Sequence, residues 1–177
     1  MKARIIPFLF GVIIFLAFSS CNVLNFTKDY KFDLTYNVIA TTTALNESYL
    51  MDAVVLIPDF EDYSKKIETI EIISMTCSIS AFVGTEEQTF TGGLLRIGSE
   101  DGSESEILTA LPEGFLHEMM FTEDSLDLDD QGAGLAEELI LNDPHKIKGN
   151  LTGTFNSTPA SFTLKLHVLT RISGSLL

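Results

Sequence analysis

An antiparallel β-sandwich is the fold class this sequence predicts, and three observations predict it. Apolar and polar residues alternate along several segments of strand length, which puts one face of each segment on a core and the other in water. Clusters of polar turn residues separate those segments at short intervals. The 177 residues are 45% hydrophobic, enough for one ordinary domain with a real core. Seven or eight such strands suggest an immunoglobulin-like sandwich. Alternation alone leaves an open barrel as the other architecture.

The first clear strand sets Phe32, Leu34, Tyr36 and Val38 against Asp33, Thr35 and Asn37, and Thr41 to Thr43 extend it. Ala53 to Ile57 is a short β-branched run ended by Pro58, and the polar stretch up to Lys66 allows a helical turn through Phe60 and Tyr63. Ile67 to Val83 is the strongest strand region. Its residues Ile73, Met75, Cys77, Ile79 and Ala81 point one way, while Ile70 and Ile72 are out of phase and predict a bulge. Phe90 to Ile97 and Glu106 to Ala110 read as a hairpin, with Ser99 to Ser103 as its turn and a bulge at Gly92-Gly93. Leu111 to Asp143 reads as an acidic, partly helical insertion. Within it Phe115 to Phe121 favours helix, and Leu135 to Leu141 is a short helix stopped by Asn142, Asp143 and Pro144. Two strands close the chain, one through Ile147, Leu151 and Phe155, the other through Phe162, Leu164, Leu166 and Val168.

The first 21 residues follow a different logic. Lys2 and Arg4 are basic, Ile5 to Phe18 is apolar, Ser19 and Ser20 are small, and Cys21 comes next. A membrane-spanning helix needs about 20 apolar residues and no such small-residue stop. This segment resembles the signal peptide of bacterial lipoproteins, of a Bacteroidota-like kind, with Phe18 where Leu is more usual. The plainer alternative is a secretory leader cleaved near Ser20. The resemblance implies that Cys21 is acylated, with palmitate-type chains, and becomes the first mature residue. Several chains, at about 0.8 kcal/mol per buried methylene, make a stable membrane anchor. It implies a signal peptide at 1–20, a lipidated tether at 21–28 and a single β-sandwich domain at 29–177. Asn22 after the cysteine points to the outer membrane. The lack of an acidic run there favours the periplasmic side over the cell surface.

The formal net charge is −14, and between Arg96 and Lys146 fourteen acidic residues occur with no Lys or Arg. Such a field argues against nucleic acid and anionic lipid surfaces as partners. The chain has two cysteines. With Cys21 carrying lipid, Cys77 has no intramolecular partner and reads as an inert core thiol.

Catalytic patterns are scarce. His117-Glu118 opens like a zinc-protease helix, but Phe121 stands where its second histidine belongs. His145 falls in a turn and His167 on the wet face of the last strand. Asp127, Asp129, Gln131, Gly132 and Glu138 fall at positions 1, 3, 5, 6 and 12 of an EF-hand-like loop, a candidate calcium site. The competing reading makes Asp129 or Asp130 the cap of the helix that follows. Ser125, in Asp124-Ser125-Leu126, resembles the short O-glycosylation sequence of Bacteroidota-type periplasmic proteins.

The expected function is therefore a non-enzymatic envelope module, anchored by lipid, that binds another envelope protein or a glycan and needs no cofactor. Two alternatives stay open: a calcium-dependent adhesion protein using the 127–138 loop, and an envelope-polymer hydrolase built on paired carboxylates.

Overall fold

The computed structural model describes residues 25–57 and 60–175, with only the backbone described at Tyr63. The leader, Cys21 and Asn22 lie outside these residues. Among the described residues nine strands form two antiparallel sheets that pack face to face: β1 (Asn25–Ala40), β2 (Ala44–Asp52), β3 (Ile67–Val83), β4 (Thr89–Gly98), β5 (Ser105–Ala110), β6 (Gly114–Phe115), β7 (Glu123–Leu126), β8 (Lys146–Phe155) and β9 (Ala160–Ser175). The helices are α1 (Ala53–Leu56), α2 (Phe60–Tyr63), α3 (Leu116–Met119) and α4 (Asp130–Leu141). Among the described residues no helix is long and apolar enough to cross a membrane.

The first sheet runs β1-β9-β3-β7 and the second β2-β8-β4-β5, with β6 on β4. The sandwich is as the alternation predicts, but its connectivity is not that of an immunoglobulin domain. The first strand lies beside the last, the second beside the second-last, and the chain crosses between sheets at β1–β2, β2–β3 and β3–β4. That is the winding of a jelly roll. Periodicity reports which face of a strand is buried and nothing of which strands are neighbours.

Alternation builds the core. Leu34, Tyr36 and Val38 of β1 meet Met75, Cys77 and Ile79 of β3 and Phe162, Leu164, Leu166 and Val168 of β9 in one buried cluster, joined from the second sheet by Phe90, Leu95, Ile97, Leu151 and Phe155. The bulge expected near Ile72 is present as a register shift between Ile72 and Ser74. The Gly92-Gly93 bulge is present too, with Gly92 at φ +62°. The β4–β5 turn closes as its residues suggest, with the Asp101 carboxylate accepting from the Ser103 amide and from the Ser99 and Ser103 hydroxyls.

Four local expectations change. Residues 25–28, expected in the tether, are strand, with Asn25 opposite Ser175. Thr41 to Thr43 do not extend β1; they form the bend that carries the chain into the other sheet. The β-branched run is helical over Ala53–Leu56, because the Asp52 carboxylate caps it by accepting the Val54 amide at 3.0 Å. Ala81 does not continue the buried row of β3: it is exposed at φ 53°, beside a register shift.

Candidate functional site

A sandwich has two long seams where the edges of its sheets face each other, and here they differ. The seam beside β5 and β7 is covered. Helix α4 lies over it, and the Glu137 carboxylate accepts the Ile72 amide at the β3 bulge, 2.8 Å away. The Asp129 amide donates to the Leu108 carbonyl at 2.9 Å, and the Thr109 hydroxyl to the Asp127 carbonyl at 2.8 Å.

The opposite seam, between β1 and β2, holds a cleft of about 310 Å³. That is at the lower end of the range for small-ligand pockets. Its walls are Asp33 to Tyr36 from β1 and Tyr49 to Asp52 from β2, and Val55 and Leu56 of α1 complete it. The Tyr36 and Tyr49 rings meet edge to face with centroids 4.3 Å apart. The Tyr36 hydroxyl donates to Met51 Sδ at 3.6 Å. Burial pushes the Tyr36 hydroxyl well above its ordinary pKa, with the Tyr49 hydroxyl adding to the effect. Burial also raises Tyr49, helped by the nearby Glu47 carboxylate. Both phenols are thus neutral donors across the physiological range. Leu50 is 53% exposed and Val55 80%, so two large apolar side chains stand at the cleft open to water. Asp33 and Asp52 supply negative charge to its walls. Such a surface can hold apolar side chains inside and a positive group at the edge.

A second cleft, of about 540 Å³, lies between the β4–β5 turn and the C-terminal end of α4. Glu100, Asp101, Glu104, Glu138 and Asp143 line it, with Lys146 as its cation. Three hydrogen bonds, from the Ser103 amide first and then the Ser99 and Ser103 hydroxyls, hold the Asp101 carboxyl down at about 2.

The expected calcium residues are placed but not gathered. Asp129 is the N-cap of α4, its Oδ1 accepting from the Gln131 and Gly132 amides at 3.0 and 3.1 Å. Residues 130–141 are helix instead of loop, so Glu138 sits two turns along α4, at the acidic cleft. Asp127 and Gln131 are exposed. Among the described residues no three His, Cys, Asp or Glu side chains converge as metal ligands. Ser125 is exposed on β7, the edge strand paired to β3 through Thr76. Cys77 is buried and free, and burial, then the Asp124 and Glu123 carboxylates, push its thiol up to about 11.

Sequence reasoning missed one constellation. On the wet face of the first sheet, His167 Nδ1 lies 2.8 Å from Asp33 Oδ1, and its Nε2 lies 3.4 Å from the Ser78 hydroxyl. The three residues come from β1, β9 and β3, so only strand order could reveal them. The order resembles a hydrolytic relay, but acyl transfer also needs oxyanion donors and a substrate cleft. Here the backbone around Ser78 is spent on pairing to β9 on one side and β7 on the other. The trio sits on a strand face beside other side-chain pairs, Asp29 with Arg171 and Thr163 with Asn37.

No protein-family model and no curated protein matches this chain. Among solved structures there is a likeness to the decameric BFDV capsid protein, 9% identical, covering 84% of this chain and 98% of that one at a TM-score of 0.38. That overlap is too loose to bear on what this chain binds.

Proposed function

We propose that this chain is a lipid-anchored binding module of the bacterial cell envelope, held at the outer membrane through Cys21 and non-enzymatic in its action. The observation that carries the binding half is the open β1–β2 seam. One seam of the sandwich is closed by a helix and backbone hydrogen bonds, while the other presents an apolar cleft with Leu50 and Val55 in water. Large side chains left exposed around a concavity are a mark of an interaction surface. The lysine–apolar–small–cysteine order of residues 1–21 supports the anchor. The partner favoured by the acidic field is an envelope protein with a basic, apolar surface, ahead of a glycan.

The test is made in cells. The chain is expressed in a Gram-negative host with labelled palmitate, and a photo-crosslinking residue replaces Leu50 in one strain and Ile39, on the outer face of β1, in another. Label is expected on the wild type and not on Cys21→Ser, with the protein in the outer-membrane fraction. A discrete crosslinked adduct is expected from position 50 and not from position 39. Unlabelled protein would remove the anchor, and equal crosslinking from both positions would remove the cleft.

A further inference from the structure

Strand β2 is an edge that lacks most of the usual protections, its only charges being Glu47 and Asp52. Natural edge strands are blunted by lysine, proline, bulges or shortness, because their unpaired amides and carbonyls invite another strand. β2 is nine residues long, Ala-Leu-Asn-Glu-Ser-Tyr-Leu-Met-Asp, with no Lys and no Pro. Its pairing to β8 runs without a register shift from Ala44 opposite Thr154 to Asp52 opposite Lys146. β2 is the terminal strand of its sheet, so among the described residues its other side has no strand paired to it. The contrast with β1 is direct: that edge strand carries Lys28, Asp29, Lys31 and Asp33. This less protected strand forms one wall of the apolar cleft.

We infer that β2 receives an extended peptide segment of a partner protein as an added strand, one with apolar residues at alternate positions and basic residues at its ends. Pairing to the β2 backbone supplies affinity. Alternate side chains, all on one side of the new strand, enter the cleft over Tyr36, Tyr49 and Met51. The basic residues meet Asp33 and Asp52 at the cleft and Glu47 on β2, in a protein of net charge −14. The same charge sets a second copy of this chain apart as occupant, since two such surfaces repel. This inference rests on the reading of the chain as a binding module.

The probe is a fluorescein-labelled nonapeptide with Val at alternate positions, Thr between them and Lys at both ends, titrated against the full chain in detergent by anisotropy. Saturable binding is expected. A Glu-ended version and a version N-methylated at alternate amides are each expected to bind at least roughly tenfold more weakly. Leu50→Asp should weaken the Lys-ended peptide at least roughly fivefold, while Ile39→Asp on the outer face leaves it unchanged. Hydrogen exchange should slow at amides within 44–52 when the peptide is bound.

Equal binding of the N-methylated peptide, or no slowing in β2, would overturn strand addition. So would concentration-dependent dimers that form a Ser48→Cys disulfide across two copies. An absence of peptide binding beside a position-50 adduct in cells would remove strand addition and leave the module. An absence of both would remove the module as well.

Discussion

The rings of Tyr36 and Tyr49 meet edge to face at 75° and 4.3 Å, joining the edge strand of one sheet to the edge strand of the other. Tyr36 is almost wholly buried, with its hydroxyl on Met51. Two aromatic rings in that arrangement add about 0.5–1.5 kcal/mol beyond the area they bury.

Tyr36→Ala is therefore expected to lower stability by about 3–5 kcal/mol, the range for emptying a large aromatic site. Tyr36→Phe keeps the ring and loses only the contact to sulfur, so its cost should stay below about 1.5 kcal/mol. Urea denaturation of the two variants measures this. Equal losses would show that the hydroxyl, and not the ring, holds the seam.

Two glycines of α4 should respond to alanine with opposite signs. Ordinarily the exchange stabilises a helix interior by about 1 kcal/mol. At Gly134 nothing lies within reach of an added methyl, so Gly134→Ala should raise the melting temperature. At Gly132 the methyl would fall 2.0 Å from the Ile107 carbonyl oxygen, against backbone that has no room to yield. Gly132→Ala should destabilise by about 1–3 kcal/mol or more through overpacking. A thermal melt of each variant decides it, and a stabilised Gly132→Ala would mean that α4 does not press on β5.

Gln88 is a buried polar clamp, 2% exposed. Its amide nitrogen donates to the Ser157 and Pro159 carbonyls at 3.1 and 2.8 Å, and its oxygen accepts the Thr85 amide at 3.0 Å. It ties the β3–β4 turn to the β8–β9 turn. Gln88→Ala strands three backbone groups, and each costs about 1–3 kcal/mol unless water reaches it. A net loss of about 3 kcal/mol in chemical denaturation is expected. A loss under about 1 kcal/mol would show that solvent substitutes for the side chain.

Cys77 makes stability depend on alkaline pH. Its unfolded thiol titrates near 9.0 and its folded thiol near 11. Between those values the folded chain holds the proton that the unfolded chain has released, so stability is complete below 9.0 and falls as pH rises toward 11. Cys77→Ala should flatten the first part of that fall, below 10.0, where an unfolded tyrosine such as Tyr36 begins to contribute. Urea midpoints across this interval are the measurement. An unchanged slope in Cys77→Ala would place the effect elsewhere.

The sequence revealed the strands whose buried face is uniformly apolar and hid those whose face is not. β9 has an unbroken inward row, Phe162, Leu164, Leu166 and Val168, and β3 has one over Met75, Cys77 and Ile79, and alternation finds both. β2 has Leu45, Tyr49 and Met51 turned in, but Glu47 between them breaks the period. A strand at an open seam tolerates that glutamate because the position is exposed. The feature that makes β2 a candidate surface is thus the one that concealed it. β7, four residues long, is too short for any period to show. For Asp129 the capping reading matches the structure, because an aspartate ahead of a helix finds two amides within reach before any loop can form. The Asp33, His167 and Ser78 trio is spread over more than a hundred residues and depends on sheet order alone.

The sixteen pairings between β1 and β9 join the earliest part of the described chain to the latest. On a ribosome β1 would emerge with no neighbour and wait for nearly all of the described chain to follow. The second strand waits in the same way for β8. This winding delays collapse until synthesis is almost complete, which leaves the early strands in need of a chaperone's shelter.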